Sequence, residues 1–96
     1  MTSVGTIPDS VTNMMGTFEG CSSLTSISDI PSNVTDMDYT FKGCSSLAGT
    51  ITINANPESY LECFAGTTKS IVIAGDCSVE TKANLAETAT NENVTY

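Results

Sequence analysis

The sequence predicts an α/β fold of stacked units, a short solenoid with parallel strands on one face and short helices on the other. A helix and strand close its C-terminal end. Three observations carry this reading. Phe41-Lys42-Gly43-Cys44-Ser45-Ser46-Leu47 repeats Phe18-Glu19-Gly20-Cys21-Ser22-Ser23-Leu24 from 23 positions earlier, and a reduced copy begins 23 positions later at Phe64-Ala65-Gly66. Self-similarity at such a period is the mark of units that bury their apolar faces against one another. Val11, Met14 and Phe18, and again Val34, Met37 and Phe41, fall three and four residues apart, as on one helical face. Thr50-Ile51-Thr52-Ile53 alternates polar and apolar, as a strand with one buried face must.

Residues 1–6 are short and polar and read as the tail of a preceding coil. The first full unit spans 7–29 and the second 30–52, with 12 identities in 23 positions and no gap. The third unit keeps the phase with other residues, Tyr60 at the place of Met37 and Phe64 at that of Phe41. Asn56-Pro57-Glu58 reads as an N-cap, a proline at the first helical position and an acid in the first turn. Ser10 and Asn33 hold the equivalent cap positions. Each helix is expected to run about two turns and to stop near Gly20, Gly43 or Gly66, where glycine accepts a left-handed backbone.

Strands are expected at 50–53 and at 70–74, the latter buried on one face or on both. Leu24 to Ile30 is a poorer strand candidate in the first unit. Gly75-Asp76 turns the chain out of the repeat. Ser78 is a good N-cap for a helix from Val79 to about Ala89, broken by Asn91-Glu92-Asn93. Val94-Thr95-Tyr96 returns as a last strand, by a crossover expected to be right-handed. The repeats thus occupy 1–75 and the cap 76–96. No matching cap is visible at the N-terminal end. An open stack end exposes apolar surface and unpaired strand groups, so the chain, taken as whole, is expected to form a homo-oligomer through residues near 4–15.

Ninety-six residues make one small domain. Eleven Asp and Glu stand against three Lys, with no Arg, for a net charge of −8. That balance works against direct nucleic-acid binding, which draws its affinity from Lys and Arg displacing counterions. No run approaches the ~18 apolar residues of a membrane span, so no membrane insertion is expected, and no signal peptide is visible.

Gly43-Cys44-Ser45-Ser46-Leu47 before an Ile-rich strand, with Ile30-Pro31-Ser32-Asn33-Val34-Thr35 ahead of it, resembles the BspA-type leucine-rich repeats of bacterial surface proteins and some phage-associated ones. The resemblance covers roughly residues 7–75. The third unit departs from it: Thr67 replaces the cysteine, Ser70 falls where leucine should be, and the connection to the strand is about three residues shorter. The resemblance implies a curved solenoid, adhesion or protein binding in place of catalysis, and a cell-surface or phage-associated setting. It brings no catalytic residues to carry over.

The residues agree with a non-enzymatic reading. His is absent, which removes Ser-His-Asp and Cys-His nucleophilic systems and most catalytic zinc sites. Cys21, Cys44, Cys63 and Cys77 are spaced 23, 19 and 14 apart, without the close pairs of a zinc site, and read as free, buried thiols. No phosphate loop or calcium loop appears, so neither cofactor nor metal is expected. Asn33-Val34-Thr35 and Asn93-Val94-Thr95 fit the N-glycosylation pattern.

Two functions from different classes follow. One is a protein-interaction or adhesion module that contacts a protein or glycan through the outward strand positions Thr50, Thr52 and Val72. The other is a small acidic inhibitor, phage-encoded in type, that occupies a basic nucleic-acid-binding partner through the helix-side acids Asp36, Asp38, Glu58 and Glu62.

Overall fold

The computed structural model describes residues 5–96. Met1 to Val4 lie outside the described residues, and with them most of the expected leading coil and the first residue of the expected self-association surface. The fold is a small mixed α/β arrangement with one parallel sheet of three strands and, among the described residues, one helix. Strand β1 is Gly49–Thr52, β2 is Ile71–Ala74, helix α1 is Val79–Glu87 and β3 is Val94–Thr95. The sheet order is β1-β2-β3, all parallel.

Alternation decides which face of the sheet is covered. Ile51, Ile71, Ile73 and Val94 point into the core, while Thr50, Val72 and Thr95 point out. Strand β2 is therefore buried on one face only. Its register is offset by 22 residues, with Gly49 opposite Ile71 and Thr50 opposite Val72. The third connection is thus shorter than the 23-residue period by one residue, and not by the three expected from sequence. Leu24 to Ile30 forms no strand; Ile30 alone makes an isolated parallel bridge, to Ile53. Its pattern is too irregular to offer one face to the core.

The expected helices at 10–20, 33–43 and 56–66 do not form. In their place the chain makes tight turns whose N–H groups alternate between two kinds of acceptor. Thr40 and Lys42 N–H donate to the carbonyls three residues back, at Met37 and Tyr39, while Tyr39, Phe41 and Gly43 N–H donate to Leu61, Cys63 and Ala65. The same alternation runs through 14–20, where Met14, Gly16, Phe18 and Gly20 N–H reach Asp36, Asp38, Thr40 and Lys42. An α-helix would need every N–H for its own i−4 carbonyl. The helix is also interrupted in its middle, because Gly16, Tyr39 and Glu62, each 23 apart, hold φ of +65°, +58° and +49°. Glycine is at ease there, whereas Tyr39 and Glu62 each carry a cost on the order of 1 kcal/mol.

The caps assigned to these helices work across turns instead. Asn33 Nδ2 donates to the Asp9 carbonyl at 3.0 Å, and Asn56 Oδ1 accepts from Ser78 N–H and Thr81 Oγ1. Ser10 is exposed and its side chain caps no turn among the described residues. The apolar stripes keep their inward role all the same. Met14, Phe18, Val34, Met37, Phe41 and Phe64 are buried, and the Phe18, Phe41 and Phe64 rings stack at centroid distances of 5.9 and 5.1 Å. Such stacking adds about 0.5–1.5 kcal/mol per pair beyond the burial itself.

Helix α1 starts as expected, with Ser78 Oγ accepting from Thr81 N–H at 3.1 Å. It ends at Glu87, two residues earlier than expected, where Thr88 keeps a helical φ/ψ but turns its N–H to the Leu85 carbonyl three residues back. Thr88 Oγ1 donates to the Leu85 carbonyl and accepts from Phe64 N–H at 2.9 Å, and Thr90 Oγ1 accepts from Gly66 N–H at 2.8 Å. Phe64 and Gly66 are the counterparts of Phe41 and Gly43, whose N–H groups go to the next turn. Two threonine hydroxyls thus stand in for carbonyls that the chain does not supply at this end. Thr67 joins the same closure, buried and accepting from Asn93 Nδ2 at 3.1 Å.

Two glycine positions are set by close approach. Gly20, Gly43 and Gly66 all hold φ near +80°, and a Cβ on Gly66 would sit 3.1 Å from Gly43 N. Gly75, at φ +107°, passes so near Ile53 that a Cβ would lie 2.4 Å from its carbonyl oxygen, the group that accepts Cys77 N–H. Gly75→Ala should therefore lower the unfolding free energy by roughly 2–4 kcal/mol, read from a urea titration, while Gly5→Ala, with nothing within 4 Å, should leave it unchanged. Thr88→Val should cost about 1–2 kcal/mol by stranding a partly buried N–H. Thr90→Val should cost less, since water can reach Gly66; equal losses at the two sites would contradict this account.

Candidate functional site

The outward face of the sheet is the one surface that the strands themselves organise. Parallel pairing places Thr50 beside Val72 and Val72 beside Thr95, a row that crosses all three strands. Thr52 pairs with Ala74 in the next row. Thr50, Val72 and Thr95 are exposed, Val72 at 44%, while Thr52 is half-buried. The three positions expected from sequence are thus brought together on one face. Thr95 is the member sequence reasoning missed, although the alternation that picks out Thr50 reaches it once Val94 is read as buried. The row carries no charge. It can offer hydroxyls and methyl groups to a flat partner, and no group on it is suited to proton transfer.

The four acids do not form a comparable surface. Asp36 Oδ1 accepts from Asp38 N–H at 2.9 Å, and Asp38 Oδ1 accepts from Leu61 N–H at 2.7 Å and from Ser59 Oγ. Both are half-buried, and each uses its Oδ1 to hold a turn. Glu62 pairs with Lys42 at 3.2 Å, an exposed pair worth little in stability. That carboxylate raises the Lys42 pKa by its hydrogen bond first and its charge second. Lys42 Nζ also lies 5.2 Å over the Tyr39 ring. Glu58 alone of the four is exposed with its carboxylate unbonded among the described residues.

All four cysteines are free; Cys44, Cys63 and Cys77 are buried and Cys21 is half-buried. Cys44 donates its thiol to the Phe18 carbonyl at 3.1 Å. Burial pushes the Cys44 thiol up to about 11, and pushes those of Cys63 and Cys77 up as well. These thiols resist forming the thiolate that nucleophilic or redox chemistry needs. Among the described residues no cluster of His, Cys, Asp or Glu could hold a metal ion, and no helix is long and apolar enough to cross a membrane. Both glycosylation-pattern asparagines use their amide nitrogens internally, Asn33 toward Asp9 and Asn93 toward Thr67 and Lys69.

No family model matches the chain, and neither a curated protein nor a solved structure matches it. The site is therefore described by its own geometry.

The buried thiols set an alkaline limit on stability. A folded-state pKa above the ordinary value of 9.0 means that the unfolded chain ionises first. The stabilisation is whole below pH 9 and is lost as the pH rises through 11. The urea midpoint should fall across that interval, and fall less steeply in Cys44→Ala.

Proposed function

We propose that this chain is a non-catalytic protein-interaction or adhesion module, built from BspA-type leucine-rich repeats stacked as a short solenoid. Its contact surface is the outward sheet face, with Thr50, Val72 and Thr95 at the centre and Thr52 beside them. The observation that carries this reading is the uncharged row that runs in register across three parallel strands. A chain with net charge −8 that keeps one ordered face free of charge has a face fit for close, neutral contact. The stacked reading is supported by backbone hydrogen bonds between residues 22 apart, by the column of phenylalanine rings and by the 23-residue period. Small hydroxyl and methyl groups suit a protein or glycan surface, and the row itself carries no group suited to proton transfer.

The test is a binding screen of the full chain against glycan and protein panels, with two sets of variants. Thr50→Lys and Val72→Lys should abolish any hit while leaving the melting temperature in place, because both side chains point to solvent. Glu58→Gln with Glu62→Gln should leave the same hits intact at low and at moderate salt. Hits lost only with the acids, and weakened by salt, would replace this reading with capture of a basic partner.

A further inference from the structure

At the N-terminal edge of the fold, the carbonyls of Asn13, Met15, Thr17 and Glu19 accept no hydrogen bond among the described residues. Their counterparts one period later, Asp36, Asp38, Thr40 and Lys42, each accept an N–H from the turn before, and so do Ser59, Leu61, Cys63 and Ala65. The four open carbonyls belong to exposed residues, with Met15 53% exposed. The N–H groups along the same edge are already used: Met15 donates to Asn13 Oδ1, Thr17 to Met14 and Glu19 to Gly16. From Met15 to Glu19 the edge is a row of acceptors with no free backbone donor among the described residues.

The geometry points to this acceptor row as a docking surface for one further unit of the same turn geometry, which presents alternate N–H groups and turns its own carbonyls away. The inference rests on the stacked reading proposed above. Its register is set by the bonds inside the chain. The incoming N–H groups equivalent to Met37, Tyr39, Phe41 and Gly43 would meet the carbonyls of Asn13, Met15, Thr17 and Glu19. A second copy of this chain is the poorer match. Its own N-terminal edge repeats the same acceptors. Of the four donors at its C-terminal end, those of Phe64 and Gly66 are taken by Thr88 and Thr90, which leaves only Tyr60 and Glu62 N–H without an acceptor among the described residues. Met14, Phe18 and Leu24, the apolar residues an open end would offer to a second copy, are buried within one chain, and Met15 is the exposed large apolar side chain on this edge.

The test uses two proteins. In the unmodified chain, amide hydrogen exchange at Met37, Tyr39, Phe41 and Gly43 reports the stacking itself; free exchange there would overturn the stacked reading. The second protein carries a copy of residues 30–52 inserted between Thr6 and Ile7, so that the 23-residue phase is kept. The inserted counterparts of those four amides should be protected to the same degree, and the urea midpoint should rise. Unprotected inserted amides beside protected native ones, or an insertion that unfolds the chain, would overturn the docking surface alone. Light scattering of the unmodified chain at tens of micromolar should give a monomer mass, and a dimer that dissolves on Thr17→Pro would overturn the ranking of a second copy below a further unit.

Discussion

In the turn segments 14–20 and 37–43, every second N–H leaves its own turn and bonds a carbonyl 22 residues further on. Met14 reaches Asp36, Phe18 reaches Thr40, Met37 reaches Ser59 and Gly43 reaches Ala65. The remaining N–H groups close tight local turns. Each backbone segment is thus half satisfied by itself and half by its neighbour, so no turn is complete alone. Since a buried, unpaired backbone group costs about 1–3 kcal/mol, the alternation ties the turns into one cooperative unit. The three strands are the continuation of the same hand-off on the sheet side.

That hand-off depends on how closely the turns approach. Gly20, Gly43 and Gly66 sit one upon another, tightest at Gly66, where a Cβ would lie 3.1 Å from Gly43 N, and Gly75 rides against the Ile53 carbonyl. The same closeness brings the Phe18, Phe41 and Phe64 rings into one stack and buries Cys44 and Cys63 against it. Tyr39 and Glu62 accept a left-handed backbone because the hydrogen bonds on either side over-determine it. Beyond the third turn, Thr88 and Thr90 supply oxygen acceptors from their side chains, and the Ser78-capped helix buries its own Leu85 in the core.

The structural uses of the polar residues narrow where function can lie. Asp36 and Asp38 hold turns, Glu62 is paired with Lys42, and the asparagines stitch neighbouring segments. The face left with ordered side chains is the row through Thr50, Val72 and Thr95. Of these side chains Thr95 alone makes a hydrogen bond among the described residues, from its hydroxyl to the Ile71 carbonyl. It is neutral within an acidic molecule, which favours neutral contact over charge capture.

Much of this was legible in the residues. The 23-residue period, the inward set of Val34, Met37 and Phe41, the left-handed glycines, the Ser78 cap and the strands near 50–53 and 70–74 all follow from local rules of spacing and backbone preference. So does the membership of Thr50 and Val72 in an outward face, since alternation is a property of the chain itself. The helices were misread for a physical reason. Spacing of three and four reports only which side chains face inward, and a turn with a left-handed residue at its centre meets that condition as well as a helix does. Whether an N–H bonds three residues back or 22 residues ahead depends on a neighbour's carbonyl, which no local pattern contains. The 22-residue register that sets Thr50 beside Val72, the engagement of the acids and the acceptor-only edge were likewise decided by tertiary packing, because each is a relation between segments rather than a property of one.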